Sequence, residues 1–302
     1  MCPALQLIWN QNLLWGTEML TTSPECVWAL QALCGVEQMP IALHLKPFIP
    51  SVHDDLVVDT VEGRRPLSDT AQYDSLVQAG VINDRGEVDV AVRDWMTVLG
   101  RADREVILTI RRPDQPATDD AGATVHERTL VVSRYRRHLA MIARDGDEVV
   151  IGGVGESSDP HQQIELICQM LVPAFGDHPP AEIDGINLPA ELVKLAVDQG
   201  GGDPGVLEEA LRRAGLGPWE IEVVSAAASL DQSAMAVVAI VDRCPEPRAH
   251  PQVLSVADTE YGRLTFSASR GADGKEWLSI WPTTPSGLRR DLAALLSRPQ
   301  LL

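Results

Sequence analysis

The chain has no apolar run long enough to span a bilayer, and no Lys or Arg before Lys46. The first absence excludes a transmembrane helix. The second removes the positive start that a secretory signal needs, and Gln11 and Asn12 interrupt the only stretch resembling one. The chain is therefore expected to stay in the cytoplasm. The five cysteines (Cys2, Cys26, Cys34, Cys168 and Cys244) are odd in number, widely spaced and form no CxxC. That fits a reduced compartment rather than a disulfide framework. Basic residues are scarce: Lys plus Arg total 25 against 43 Asp plus Glu, a formal charge of −18. Such a charge repels phosphate backbones and anionic lipid, so nucleic acid and membrane partners are disfavoured, while solubility is favoured.

Catalytic motifs are missing as well. HExxH, GxSxG and GxxxxGK[ST] do not occur. None of the seven histidines (His44, His53, His126, His138, His161, His178, His250) has metal-ligand spacing. His53-Asp54-Asp55 is the nearest cluster, but adjacent loop side chains diverge. Ser157 sits where a helix cap is expected, and Asp119-Asp120 fall in a solvated loop, where carboxyl groups stay ordinary. The glycines at 152–155 read as a strand end and those at 200–202 as a connection between helices. No catalytic residue, metal or cofactor is expected.

What is present is an ordinary globular composition, 45% hydrophobic and 23% charged over 302 residues. Apolar spacing predicts helices over 24–34, 70–80, 88–99, 160–172, 188–197, 204–214 and 284–296, with 219–228 left as helix or strand. Leu43, Leu45 and Pro47-Phe48 suggest a short extended piece. Alternation predicts strands over 104–112, 127–135, 137–144, 147–154, 252–258, 262–270 and 276–281, with Asp145-Gly146 and Asp273-Gly274 as hairpin turns. Ala234 to Val241 is apolar on both faces and reads as a buried strand. The order of elements repeats: DGDEVVI (145–151) matches DGKEWLSI (273–280), and Asp159-Pro160 matches Thr284-Pro285. The expected fold class is α/β (α+β) with a pseudo-two-fold duplicated unit. Residues 1–18 read as an extension, 19–175 as one α/β half and 176–302 as the other.

Two features suggest recognition. Residues 113–126 form a connection too long for an ordinary hairpin. Residues 264–269 alternate between apolar side chains and the small hydroxyls Thr265, Ser267 and Ser269, a face that a partner could approach closely. Trp277 and Trp281 share one strand face, where Trp is common in binding hot spots and commoner still in cores.

The segments VWALQALCGVEQ, LHLKPFIP, RHLAMIARDGDEVVI and YGRLTFSASRGADGKEWLSIWPTTP, in that order, resemble the EspG family of ESX (type VII) secretion-associated proteins. The resemblance covers about Met19 to the end and does not include residues 1–18. It implies a central antiparallel β-sheet between N- and C-terminal helical bundles. It also implies a cytosolic, non-enzymatic chaperone that binds a PE–PPE heterodimer through the PPE tip, as a monomer or weak homodimer. By chain order the family's binding loop falls on Pro113, Asp114, Gln115, Ala117, Asp119, Asp120, Ala123, Thr124 and His126, and its sheet contact on Thr265, Ser267 and Ser269. The rival readings are a small-molecule-binding protein or enzyme using a cleft between the halves, and a structural subunit of an oligomer.

Overall fold

The computed structural model describes residues 19–48, 56–60, 63–115, 124–194, 204–229, 233–243, 246–271 and 274–299. The first half runs β1 (Met19–Thr22), α1 (Pro24–Cys34), β2 (Val57–Thr60), β3 (Gly63–Pro66), α2 (Ala71–Gln78) and α3 (Val90–Gly100). It continues through β4 (Arg104–Gln115), β5 (Thr124–Tyr135), β6 (His138–Asp145), β7 (Glu148–Glu156) and α4 (Pro160–Ala174). The second half runs β8 (Ile186–Pro189), α5 (Pro204–Arg213), α6 (Pro218–Ala228), β9 (Ala234–Asp242) and the short β10 (Arg248–Ala249). It ends with β11 (Leu254–Thr259), β12 (Gly262–Arg270), β13 (Glu276–Pro282) and α7 (Pro285–Leu296).

The helices start where the sequence supplies acceptors. The side chains of Ser23, Thr70, Asp89, Asp159 and Thr284 each accept a first-turn backbone N–H, and Pro24, Pro160 and Pro285 occupy positions that need no donor. Apart from the β2–β3 ribbon, the strands join one eleven-stranded sheet in the order β1-β7-β6-β5-β4-β9-β11-β12-β13-β8, with β10 on β9. All pairings are antiparallel. Strand order runs alike on either side of the β4–β9 pairing: four sequential strands, then a closing helix, with a short edge strand outermost.

Three cores result. On one face of the sheet α4 and α7 lie side by side. Ile167, Leu171, Leu288 and Leu292 pack there on Val106, Leu108, Val132, Val238 and Ile240. On the other face α1, α2 and α3 cover β5, β6 and β7, where Leu30, Met96 and Leu99 meet Val131, Ile142 and Ile151. On that same face, as strand alternation requires, α5 and α6 cover the far side of the sheet, where Leu211 and Val223 meet Ala257, Leu264 and Ile280.

The seam between the halves is the β4–β9 ladder, which runs from Arg104↔Asp242 to Arg111↔Met235. Its end is clamped on both faces. On the α4/α7 face Arg104 donates Nε to Asp242 Oδ1 at 2.7 Å and Nη2 to Oδ2 at 3.3 Å, and His250 Nε2 lies 2.9 Å from that same Oδ2. On the other face Arg243 Nη1 donates to Glu105 Oε1 at 2.6 Å. The connection between halves is fixed by Arg263, 1% exposed, which pairs with Asp258 and donates to the carbonyls of Phe175 and Gly176 at the end of α4. Gly262 beside it has φ 118°, and a Cβ there would sit 2.5 Å from the Ala181 nitrogen, so only glycine lets the linker come this close.

Several expectations change. Residues 188–197 do not begin as helix: Ile186 to Pro189 pair with β13 as an edge strand, and helix starts at residue 190. The cause is a free strand edge, which overrides local helical spacing. Of the extended piece expected at Leu43, Leu45 and Pro47-Phe48, Leu43 ends a 3-10 turn (Ile41–Leu43), and residues 44–48 belong to neither helix nor strand. The undecided segment 219–228 is helix. The connection 113–126 is partly ladder, because Pro113 pairs with Val125 and Gln115 with Thr124. Residues 1–18 and the glycines at 200–202 lie outside the described residues.

Asp242 has no exposed surface, so removing its charge leaves the Arg104 guanidinium buried and unbalanced. Asp242→Asn is expected to lower unfolding stability by about 3 kcal/mol or more, read from the urea midpoint at unchanged slope.

Candidate partner-binding surface

Among the described residues, helices cover the two sides of one sheet face and leave its middle open. β9 shows this residue by residue. Ala236, Val238 and Ile240 are buried on the α4/α7 face, while Val237, Ala239 and Val241 on the other face are half-exposed. The expectation that this strand is buried on both faces is thus corrected: among the described residues its second face has no helix over it. Register extends the open strip sideways. Ala239 faces Ile107, and Val237 lies between Thr109 and Ser255. All of these are half-exposed, and Val253 just ahead of β11 is exposed.

The strip is a valley of calculable width. Its walls rise where Val131 on β5 and Ala257 on β11 become buried under the two groups of helices. β5 and β11 are three strand spacings apart, or about 14 Å. A helix with its side chains is about 10–12 Å across, so the valley admits one helix or the tip of a bundle. The floor is small and uncharged, and the charges at its ends are already paired. At one end Arg111 Nε meets Glu127 Oε2 at 2.7 Å in the open. At the other Arg243 holds Glu105 and donates a second bond to Gln38 Oε1 at 3.1 Å. A partner therefore meets apolar floor without having to strip an unpaired charge.

One end of the valley carries an arm. β4 pairs with β9 only as far as Arg111, and β6 pairs with β5 only from Arg128. Beyond these limits Arg112 to Gln115 and Thr124 to Glu127 continue as a two-stranded ribbon, about 13 Å past the sheet. Ion pairs brace its root on both faces. Arg111–Glu127 lies on the valley side. On the other side Asp145 takes His126 Nε2 at 2.5 Å and Arg128 Nε at 2.6 Å.

The expected site residues divide on this geometry. Pro113, Gln115 and Thr124 sit on the ribbon, and Asp114 is the extra residue where the register shifts. His126 belongs to the brace. Ala117, Asp119, Asp120 and Ala123 lie outside the described residues. Thr265 is buried, and its hydroxyl donates to the Trp281 carbonyl at 3.3 Å. Ser267 and Ser269 are exposed. Their register partners, Leu254 for Ser267 and Trp277 for Ser269, and the neighbouring pair Val256–Thr265, place them on the α4/α7 face and toward the end of the sheet away from the ribbon. The ribbon and the serine face are therefore not brought together. The valley residues Ile107, Thr109, Val237, Ala239 and Ser255 were missed. Their signal was the run of small apolar residues on both faces of β9.

Titratable groups with shifted behaviour are scattered. Burial pushes the Glu105 carboxyl up, against the pull of Arg243. The hydrogen bond to Glu222 pushes Tyr261 up to about 12, and burial pushes the Cys168 thiol up to about 11. Among the described residues no three His, Cys, Asp or Glu side chains gather as a metal site, and no helix is long and apolar enough to cross a membrane. Because the folded pKa of Glu105 lies above its unfolded value, the native state binds the extra proton. Glu105 therefore costs stability at neutral pH, and that cost fades as pH falls through the folded pKa. Glu105→Gln is expected to flatten the acid side of the stability curve upward from about pH 4.3, as measured by urea unfolding at a series of pH values.

The EspG family model matches residues 23–294. The ESX-2 secretion-associated protein EspG2 of Mycobacterium tuberculosis is 27% identical over 254 residues, which is 82% of this chain and 83% of that protein. The ESX-3 secretion-associated protein EspG3 of the same organism is 29% identical over 241 residues, 73% of this chain and 77% of that one. Among solved structures, the M. tuberculosis type VII secretion system chaperone EspG5, in complex with a PE25–PPE41 dimer, matches with TM-score 0.70 at 21% identity, over 93% of this chain and 97% of that chain. Since the family match starts at the cap of α1, ends inside α7 and takes in both halves with their seam, the chain belongs to the EspG family.

Proposed function

We propose that this protein is a cytoplasmic, non-catalytic chaperone that binds a PE–PPE heterodimer through the PPE subunit and keeps it soluble for ESX secretion. The observation that carries the reading is the valley: a neutral, small-residue strip of sheet, one helix wide, left bare between two helical walls and flanked by a braced ribbon. Family membership, and the PE25–PPE41 partner named for EspG5, supply the partner's class. An apolar bundle tip would self-associate if left exposed. Covering it removes that route by mass action alone, with no turnover. The −18 charge keeps the free chaperone dispersed.

The serine face at Ser267 and Ser269 is the competing contact, and the two are separable. Ala239→Glu places an unpaired charge on the valley floor, and is expected to weaken capture of a cognate PE–PPE pair by at least about tenfold, a cost of roughly 1.4 kcal/mol or more. Ser267→Glu is expected to leave capture unchanged. Co-expression followed by size exclusion gives the qualitative answer, and titration of the purified pair gives the affinity. The opposite pattern would move the docking surface to the other face of the sheet. Failure of every cognate pair to co-elute with the unaltered protein would overturn the function itself. Removing residues 116–123, the connection between β4 and β5, is expected to weaken capture while leaving the melting temperature within about 2 °C, because the pairs bracing the ribbon's root stay in place.

A further inference from the structure

On the face away from the valley, a cleft of about 360 Å³ opens between the start of α4 and the end of α7. Its floor is apolar, made by Val106, Val132, Ile164, Ile167 and Leu296. Its rim is cationic, although the chain as a whole is strongly acidic. Arg104 and Arg134 are direct cross-strand partners. Like charges so placed repel, and each is held by a carboxylate of its own, Arg104 by Asp242 and Arg134 by Asp103. The third rim cation differs. Arg298 follows α7, is half-buried, and has its Nε shielded from solvent with no hydrogen-bond partner. Two other shielded guanidinium nitrogens lie against carboxylates: Arg128 beside Asp145, and Arg289 beside Glu165. Arg298 has no carboxylate partner among the described residues. Its main chain is fixed, because Arg104 Nη1 donates to the Arg298 carbonyl at 3.2 Å. His161 also lines the cleft, and its backbone N–H is already taken by Asp159.

A shielded guanidinium nitrogen without an acceptor is costly, and arginine matches a carboxylate in two-pronged geometry. We propose that this cleft binds a medium-chain acyl carboxylate, with its carboxylate on Arg298 and its chain on the apolar floor. The volume lies within the range of small-molecule sites. The floor argues for an acyl chain over a peptide terminus. Its five side chains offer no hydrogen bond to a peptide group, and the Gln163 amide already donates to the carbonyls of Arg136 and Ser157. A peptide's amides would stay unsatisfied there.

The test is calorimetric titration of the full chain with octanoate, alongside octanol, octylamine and N-acetyl-leucine. Octanoate is expected to bind, with octanol at least about tenfold weaker and octylamine not at all. Arg298→Gln, which keeps the side-chain length, is expected to weaken octanoate about tenfold with an unchanged melting temperature. Ile164→Trp, which fills the cleft, is expected to abolish binding even should Arg298→Gln alter folding. Ala239→Glu is expected to leave octanoate binding intact, so the cleft and the valley stand or fall separately. No octanoate binding at millimolar concentration, equal binding of octanol, or tighter binding of N-acetyl-leucine would overturn the proposal.

Discussion

The architecture depends on one ladder. β4 and β9 come from different halves of the chain, and among the described residues their pairing is the sole strand contact joining the two groups of strands. Backbone hydrogen bonds alone do not fix such a seam, since a slip of one residue would turn every side chain to the wrong face. Here the register is fixed by charge on both faces. Arg104–Asp242 works on one side and Glu105–Arg243 on the other. A slip would part both pairs and leave four nearly buried charges without partners. Buried ion pairs are weak sources of stability but good markers of a unique arrangement, and this one sits where uniqueness matters most.

The seam also decides where the helices go. α4 and α7 follow the last strand of each half, so both return over the same face and meet above the middle of the sheet. The remaining helices precede the strands of each half and are drawn to the outer strands of the opposite face. Two walls and a bare floor follow from that connectivity. The floor stays tolerable to water because its side chains are small and its charges are mutually satisfied. It remains apolar enough to favour a partner that brings a helix of its own. Exposed apolar strips on a free chain carry an association hazard; the chain's net negative charge works against it at long range.

Much of this was legible in the sequence. Asp159-Pro160 and Thr284-Pro285 announce the two closing helices, and each begins there. The alternation from Val106 to Ile110 and the Asp145-Gly146 turn give a hairpin strand set that the register reproduces. The family resemblance drawn from four ordered segments holds across both halves. What misled was what only tertiary context decides. Residues 186–189 have helical neighbours but lie beside the open edge of β13, and backbone pairing won. Ala234 to Val241 carries apolar side chains on both faces, which describes a buried strand equally as well as a strand awaiting a partner. Period-two spacing gives the face of a residue, never what covers it. The hydroxyls of β12 show the same limit. Thr265 and Ser267 share a face, yet one is buried and the other exposed.

The two faces of the sheet therefore carry different kinds of opening, for a common reason. Wherever the closing helices or the walls stop short, side chains on the strands beneath must either be small and neutral or carry their own counter-charges. The valley takes the first course with Val237, Ala239 and Thr109, and confines its charges to pairs at the ends. The cleft beside α4 and α7 takes the second, pairing Arg104 and Arg134 with carboxylates. Arg298 follows neither rule. It is polar, shielded and without a counter-charge among the described residues, in a molecule that has acid to spare. Arg144 also lacks a carboxylate but donates to the carbonyls of Leu43, His44 and Gly146, whereas the shielded Nε of Arg298 is an exception in meeting no acceptor among the described residues. That exception is what separates a cleft shaped for a ligand from a mere gap in packing.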